Sequence, residues 1–329
     1  MSGLELESLV GIFGTAILPI VAIAAAGFAL GRVKDVEVGP LNTITVYVLV
    51  PALVFHTLVK TPMSGTTVLT VAVGVLAFST IMLVIAKGAG RALGQSEPML
   101  GAFILAAMFA NSGNFGIPLS KFAFGATGRS TAVLYAAIQG VLLYTLGTYV
   151  AARGTGGAFA GVRRAARIPI VHAVIVALAA RWLGLAPPTG STAMNTLQLV
   201  GDASIPVMLL ILGIQLSETN YAAAARRVIV PNALKLAVAP LVGIAIALVL
   251  TSGVFFLGFE NETVARVFVL ECAGPSAVTP IILLGEFSGP ADGPVSPTEF
   301  ASTAILTSTL LSIPILTVLI ALLEAGIVV

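Results

Sequence analysis

Apolar stretches of membrane-spanning length recur along the whole chain, separated by short polar, glycine- or proline-bearing segments. A bilayer core requires about 20 apolar residues per helix. By that measure the pattern predicts ten spans, at roughly 9–31, 40–59, 66–93, 99–121, 129–151, 168–186, 192–217, 228–257, 263–287 and 298–323. The longest connection, "RGTGGAFAGVRRAARIP" at 153–169, leaves no room for an inserted soluble domain. Composition agrees: 58% of the 329 residues are hydrophobic and 9% charged, against about 25% charged in soluble domains. The fold class expected is an all-α, multi-span membrane protein embedded in a lipid bilayer. The N-terminus carries Glu5 and Glu7 and no basic residue, the wrong start for a cleaved signal, so the first span is expected to be retained.

Basic residues set the orientation. Arg32, Lys34, Lys87, Arg91, Arg153, Arg163, Arg164, Arg167, Arg226 and Arg227 fall on one side of the predicted spans. Lys60, Lys121, Arg129, Arg181 and Arg266 fall on the other, with Lys235 inside span eight. The richer side is read as cytoplasmic, which puts both termini outside and the 153–167 linker in the cytoplasm of a cell that carries the protein in its plasma membrane. The linker divides the chain into two five-span units, 1–152 and 168–329. An odd number of spans per unit gives the second the opposite orientation, the inverted-repeat plan of many secondary transporters. Short echoes support it: "VPALVF" (50–55) with "IPVMLL" (205–210), and "NSGNFGIP" (111–118) with "AGPSAVTP" (273–280).

The second echo contains the least helix-like stretches in the spans. Proline removes a backbone donor and clashes one turn back; glycine weakens the helix further. In lipid the freed groups would cost several kcal/mol each, so such breaks must face protein or a watery cavity. Paired breaks in matching positions point to a midplane site. Helix N-termini converging there favour an anion, and Asn111, Ser112, Asn114 and Ser276 add neutral donors. For Pro19, Pro51, Pro206, Pro231, Pro240 and Pro314, taken singly, a packing kink is the simpler reading.

Ionisable groups within spans are functional candidates because burial is costly. Asp202, before Pro206, is read either as a proton or cation holder or as an N-cap-like residue. Glu271, one turn before the second break, is read either as a proton carrier or as an interfacial carboxylate. Lys235 is expected to snorkel to the interface, with neutralisation of a bound anion as the alternative. His56 and His172 are expected to be packed or interfacial, with a proton relay as the other reading. Cys272 reads as a small apolar side chain and Trp182 as an interface anchor.

Enzymatic signatures are missing: the sequence has no HExxH, CxxC, Walker loop or GxSxG. Two histidines and one cysteine do not make an ordinary zinc site without carboxylates, and a single intraspan aspartate excludes an aspartyl protease. An enzyme is not expected, nor a metal or cofactor; the coupling ion is left between H+ and Na+. A net charge of +2 gives no reason to expect a nucleic-acid partner.

"YVLVPALVFHTLV" (47–59), "NSGNFGIPLSKFAFG" (111–125), "AIQGVLLYTLG" (137–147), "ASIPVMLLILGIQL" (203–216) and "ECAGPSAVTPIILLGEFSG" (271–289) together resemble the auxin efflux carrier family. That family includes the PIN auxin carriers and prokaryotic malate and malonate permeases. The resemblance spans the chain and implies ten helices in two inverted five-helix repeats. Helices four and nine would be broken and crossed between a scaffold and an elevator-like transport domain, as in bile-acid symporters. It matches Asn111 and Asn114 to the crossover amides, Pro118 and Pro280 to the crossover prolines, and Gln139 and Tyr144 to substrate-facing positions. Val54 replaces a polar PIN residue, and the third span lacks the acidic and basic pair of PIN carriers. The expected substrate site therefore comprises Asn111, Ser112, Gly113, Asn114, Pro118, Gln139, Tyr144, Pro275, Ser276, Thr279 and Pro280, with Asp202, Glu271, Lys235 and His56 as coupling candidates. The expected function is secondary transport of a small organic anion, a carboxylate. Alternatives are a bile-acid-like or arsenite substrate on the same fold, or a non-transporting ligand sensor. A second copy of the chain stays open as a partner.

Overall fold

A computed structural model describes residues 10–61, 63–152, 169–218, 226–252, 257–289 and 294–329. These form helices and connecting turns, with no β-strand among the described residues beyond one isolated bridge. In chain order the helices are α1 (Val10–Val33), α2 (Val38–Lys60), α3 (Gly65–Ala92), α4 (Glu97–Met108), α5 (Ser112–Ala151), α6 (Pro169–Trp182), α7 (Thr192–Glu218), α8 (Ile229–Thr251), α9 (Glu262–Ala273), α10 (Thr279–Phe287) and α11 (Pro297–Glu324). Seven of them, α1, α2, α3, α5, α7, α8 and α11, are long and apolar enough to cross a membrane. Large apolar side chains on their outer faces stay uncovered, among them Tyr47, Val84, Leu199 and Leu241, as a lipid-facing surface requires. The predicted linker at 153–167 lies outside the described residues.

Polar residues start several helices where the sequence changes from loop to apolar run. Ser64 Oγ accepts the Thr67 N–H at 3.0 Å to open α3, and Asn261 Oδ1 accepts the Val264 N–H at 3.1 Å to open α9. Ser296 and Glu299 form a reciprocal capping box at α11. Each satisfies a donor that the first turn leaves free.

α5 is 40 residues long, and a straight helix of that length would run about 60 Å, twice the hydrocarbon core of about 30 Å. It does not run straight. Phe124 leaves the helical region and Gly125 has φ +63°, ψ −142°, a conformation open to glycine and strained for other residues. Eight residues along a helix should separate Ser120 from Gly128 by about 12 Å. Yet a Cβ on Gly128 would strike the Ser120 carbonyl. The chain reverses here, so α5 is two arms joined at 124–125, matching the gap predicted between spans four and five.

Two groups of helices are apparent. α1 lies along α7, and α2 packs on both α6 and α7. The α1–α7 approach is backbone to backbone: a Cβ on Gly27 would collide with Leu210 and one on Gly213 with Ala24. Where lipid removes the hydrophobic drive between helices, small residues permit the packing that replaces it. In the second group α3 packs on α4 and α8, α9 on α8 and α5, and α11 on α4 and α10. Phe78, Phe103, Phe268 and Phe300 fill its interior. α5 belongs to the second group and also touches α2, α6 and α7.

Candidate functional site

Both breaks expected from the sequence are present. α4 stops at Met108 and α5 starts at Ser112; α9 stops at Ala273 and α10 starts at Thr279. The two interruptions pair with each other. Asn111 N–H donates to Pro275 O at 2.8 Å and Ala277 N–H to Phe109 O at 2.9 Å, making an antiparallel bridge between Ala110 and Ser276. Each break thus supplies partners for backbone groups that the other exposes, which is what burial away from water demands.

Side chains complete the accounting. Gln139, buried on the second arm of α5, donates from Nε2 to Ala110 O at 2.8 Å and to Ser112 Oγ at 3.2 Å. Its Oε1 accepts the Ala110 N–H at 3.3 Å. Ser276 Oγ donates to Ala106 O at 2.7 Å, and Ser276 N–H donates to Ser308 Oγ at 3.1 Å. Asn111 is the N-cap of α5, its Oδ1 accepting the Asn114 N–H at 3.3 Å. Its Nδ2 is buried and has no hydrogen-bond partner among the described residues. A spare amide donor thus sits at a helix N-terminus, where the backbone dipole favours negative charge.

Charge collects beside the second break. Glu271 is fully buried; its Oε1 accepts Ser120 Oγ at 2.9 Å. Ser112 is close enough to act on the carboxylate, yet Oε2 makes no hydrogen bond of normal geometry among the described residues. Gly116 faces it so closely that a Cβ there would collide with the carboxylate. Lys235, fully buried, donates from Nζ to Cys272 O at 3.2 Å and lies over the Phe78 ring, 5.5 Å from its centroid. Lys235 and Glu271 are thus both buried at the end of α9, the lysine on the carbonyl of the residue that follows the glutamate. Tyr135 OH lies 3.5 Å from Cys272 Sγ.

A family described as membrane transport protein matches residues 12–160 and 158–320. The chain belongs to the membrane transport protein family. An uncharacterized transporter of Methanothermobacter thermautotrophicus is 26% identical over 301 residues, 90% of this chain and 94% of the relative. Another, from Methanocaldococcus jannaschii, is 24% identical over 273 residues, 81% and 86% of the two chains. The protein is therefore a multi-pass membrane transporter, of the family that the sequence motifs resemble.

Within this family member, the residues singled out from sequence fall into distinct settings. Asn111, Ser112, Pro275, Ser276 and Gln139 meet at the paired breaks. Gly113 and Asn114 lie in the first turns of α5 and are half-buried; Pro118 follows them, buried. Thr279 and Pro280 open α10. Tyr144 is half-buried in the π-helical turn Leu143–Gly147. Three readings need correction. Lys235 does not snorkel: it is sealed inside, because Cys272 O and the Phe78 face receive its ammonium. Glu271 is not interfacial. Asp202 caps no helix start, since α7 continues through it and through Pro206; it pairs instead with Arg129, Nη1 to Oδ1 2.7 Å. His56 is buried on α2 within electrostatic reach of both. Val54 is buried and Trp182 is 87% exposed.

Sequence reading did not single out Ser120 or Ser308, and did not connect Gly116 with Glu271 or Arg129 with Asp202. Ser120 and Gly116 lie one turn apart in the first-break motif, so helical spacing held a signal for them. Ser308 and Arg129 had none. A separate apolar groove of about 680 Å³ opens between α2, α6 and α7, lined by Tyr47, Phe55, His172, Val176 and Leu197 among others. None of the substrate candidates lines it.

Proposed function

We propose that the protein is a secondary transporter of small organic anions, carboxylates above all, with the substrate held where the two breaks pair. The observation that carries this reading is Asn111 Nδ2, buried and without a hydrogen-bond partner among the described residues, at the N-terminus of α5, beside the bridge between Ala110 and Ser276. A carboxylate there accepts from that amide and from first-turn N–H groups, without a fixed charge in the membrane. Ser112, Asn114 and Thr279 stand at the same two helix starts. Gln139 holds the break open from one side, and Tyr144 lies farther along that arm.

The helix packing supports an inverted repeat of ten spans, with α4 and the first arm of α5 as span four and α9 with α10 as span nine. Exchanging spans one to five with six to ten maps the α1–α7 contact onto α6–α2. It maps α3–α4 onto α8–α9, and α4–α11 onto α9–α5; all six contacts exist. The group α1, α2, α6 and α7 then serves as scaffold, and the remainder moves against it in elevator fashion. Arg129–Asp202 ties the two groups together in this conformation.

The test is a thermal-shift screen of purified protein against mono- and dicarboxylates, followed by flux of the hit in proteoliposomes. A stabilising carboxylate whose effect fades in Asn111→Ala and Asn114→Ala, and which crosses the liposome membrane, is the expected result. A hit retained unchanged by both variants moves the site elsewhere; binding without flux makes the protein a sensor.

A further inference from the structure

A helix that stops in mid-membrane leaves carbonyl oxygens carrying partial negative charge at its C-terminus. In transporters with broken helices, such ends and the unwound carbonyls beside them are where a coupling Na+ or H+ is held. At α9 that place is already taken by the chain. Lys235 Nζ donates to Cys272 O, in the last turn before the break, at 3.2 Å. The lysine reaches it from the π-helical turn Leu234–Val238 of α8, and the Phe78 ring covers the ammonium. One residue before the acceptor stands Glu271, with Oε1 on Ser120 and Oε2 without a hydrogen bond among the described residues. The opposite wall is another π-helical turn, Ser112–Gly116, where Gly116 leaves room for that carboxylate. Such turns recur at functional sites.

On the reading that the paired breaks are the transport site, we infer that Lys235 is a built-in cation, standing at the α9 C-terminus in place of a coupling ion. Its ammonium already supplies the positive charge at the α9 carbonyl end, one residue from the buried Glu271, so no Na+ is needed there. Removing the ammonium while keeping Glu271 strips the Cys272 carbonyl of its partner, one residue along α9 from a buried carboxyl that holds the Ser120 hydroxyl. Oxygens of this kind suit a small hard cation, and the variant should recruit one.

The experiment measures Tm of detergent-purified protein in sodium, potassium and choline chloride at equal ionic strength. Wild type is expected to give the same Tm in all three. Lys235→Ala is expected to be less stable in choline and to gain about 3 °C or more specifically in sodium. Lys235→Ala/Glu271→Gln should lose that gain. A sodium-specific rise in wild type, or a folded Lys235→Ala that ignores sodium, overturns the inference. If Lys235→Ala does not give monodisperse protein, wild type decides: equal Tm values uphold the inference and a sodium-specific rise ends it. No substrate enters these measurements, so a failed carboxylate screen and a failed sodium test are told apart.

Discussion

The two breaks are built from different materials although they pair as equals. The first, Phe109 to Asn111, is held by neutral groups: the Gln139 amide bonds to both sides of the Ala110 backbone, and Asn111 caps the helix that follows. The second, 274–278, has charge packed behind it, with Lys235 on the carbonyl end of α9 and Glu271 one residue away. The difference follows from what each end must satisfy. A neutral break can keep one donor spare for a guest; a break that carries a fixed acid must carry its own base. On the proposed reading the pair divides binding from charge balance, and variants that unbalance one break should leave the other legible.

The largest effect on stability is expected at the charged break. Lys235→Met takes the ammonium from the Cys272 carbonyl and leaves Glu271 buried with no cation beside it, and an uncompensated buried charge costs about 3–5 kcal/mol. The double variant Lys235→Met/Glu271→Gln removes both charges and should recover most of it. Urea or thermal unfolding of the four proteins in a double-mutant cycle reads the coupling. Simple additivity of the two substitutions would mean that the groups do not compensate each other.

Next comes Gln139→Leu, at the neutral break. It leaves the Ala110 N–H and carbonyl without their side-chain partner in a site far from water, which should cost about 2–3 kcal/mol. Amide hydrogen exchange at Ala110 should rise with it. An unchanged Tm would show that Gln139 is not what keeps the first break in shape.

How much of this was legible beforehand follows from the range of each interaction. The breaks themselves were readable, because proline and glycine act on the residues beside them: Pro118, Gly113 and Gly116 mark one, Gly274, Pro275 and Pro280 the other. The reversal inside α5 was readable as a gap between two spans, though the single positive-φ residue, Gly125, was not singled out. What the string hid were partners far apart in sequence. Gln139 reaches back 29 residues to Ala110, Arg129 reaches 73 to Asp202, and Ser120 reaches 151 to Glu271. Lys235 was misjudged for a related reason. A lysine two turns from a helix end can extend to water, and nothing local reveals that a carbonyl at Cys272 and a ring at Phe78 are waiting inside.

Gly116→Ala tests the seam between the breaks and should have a smaller effect. The added methyl pushes against the Glu271 carboxylate, which can swing aside only by giving up Ser120. Crowding and the lost hydrogen bond together should cost about 1–2 kcal/mol, measured as a drop in Tm. If Glu271→Gln already removes the Ser120 bond, adding Gly116→Ala should cost less than it does alone. Full cost in both backgrounds would mean that the methyl meets something other than the carboxylate arrangement.

The smallest stability change belongs to the residue with the largest assigned role. Asn111→Ala deletes a long, weak cap to Asn114 and an amide donor that bonds to nothing among the described residues, so stability should shift by no more than about 1 kcal/mol. Binding should not be spared. A hydrogen bond from that amide to a carboxylate is worth about 1.5–3 kcal/mol, equivalent to a roughly ten- to hundredfold weaker Kd, read by titrating the carboxylate found in the thermal screen. Gln139→Leu inverts the pattern, costing stability first. A donor kept unpaired in a lipid-embedded interior is expensive unless something else completes it, and this pair of variants separates a group that waits for a guest from one that holds the frame. Equal losses of stability in both would make Asn111 another structural amide and leave the first break without a vacancy to offer.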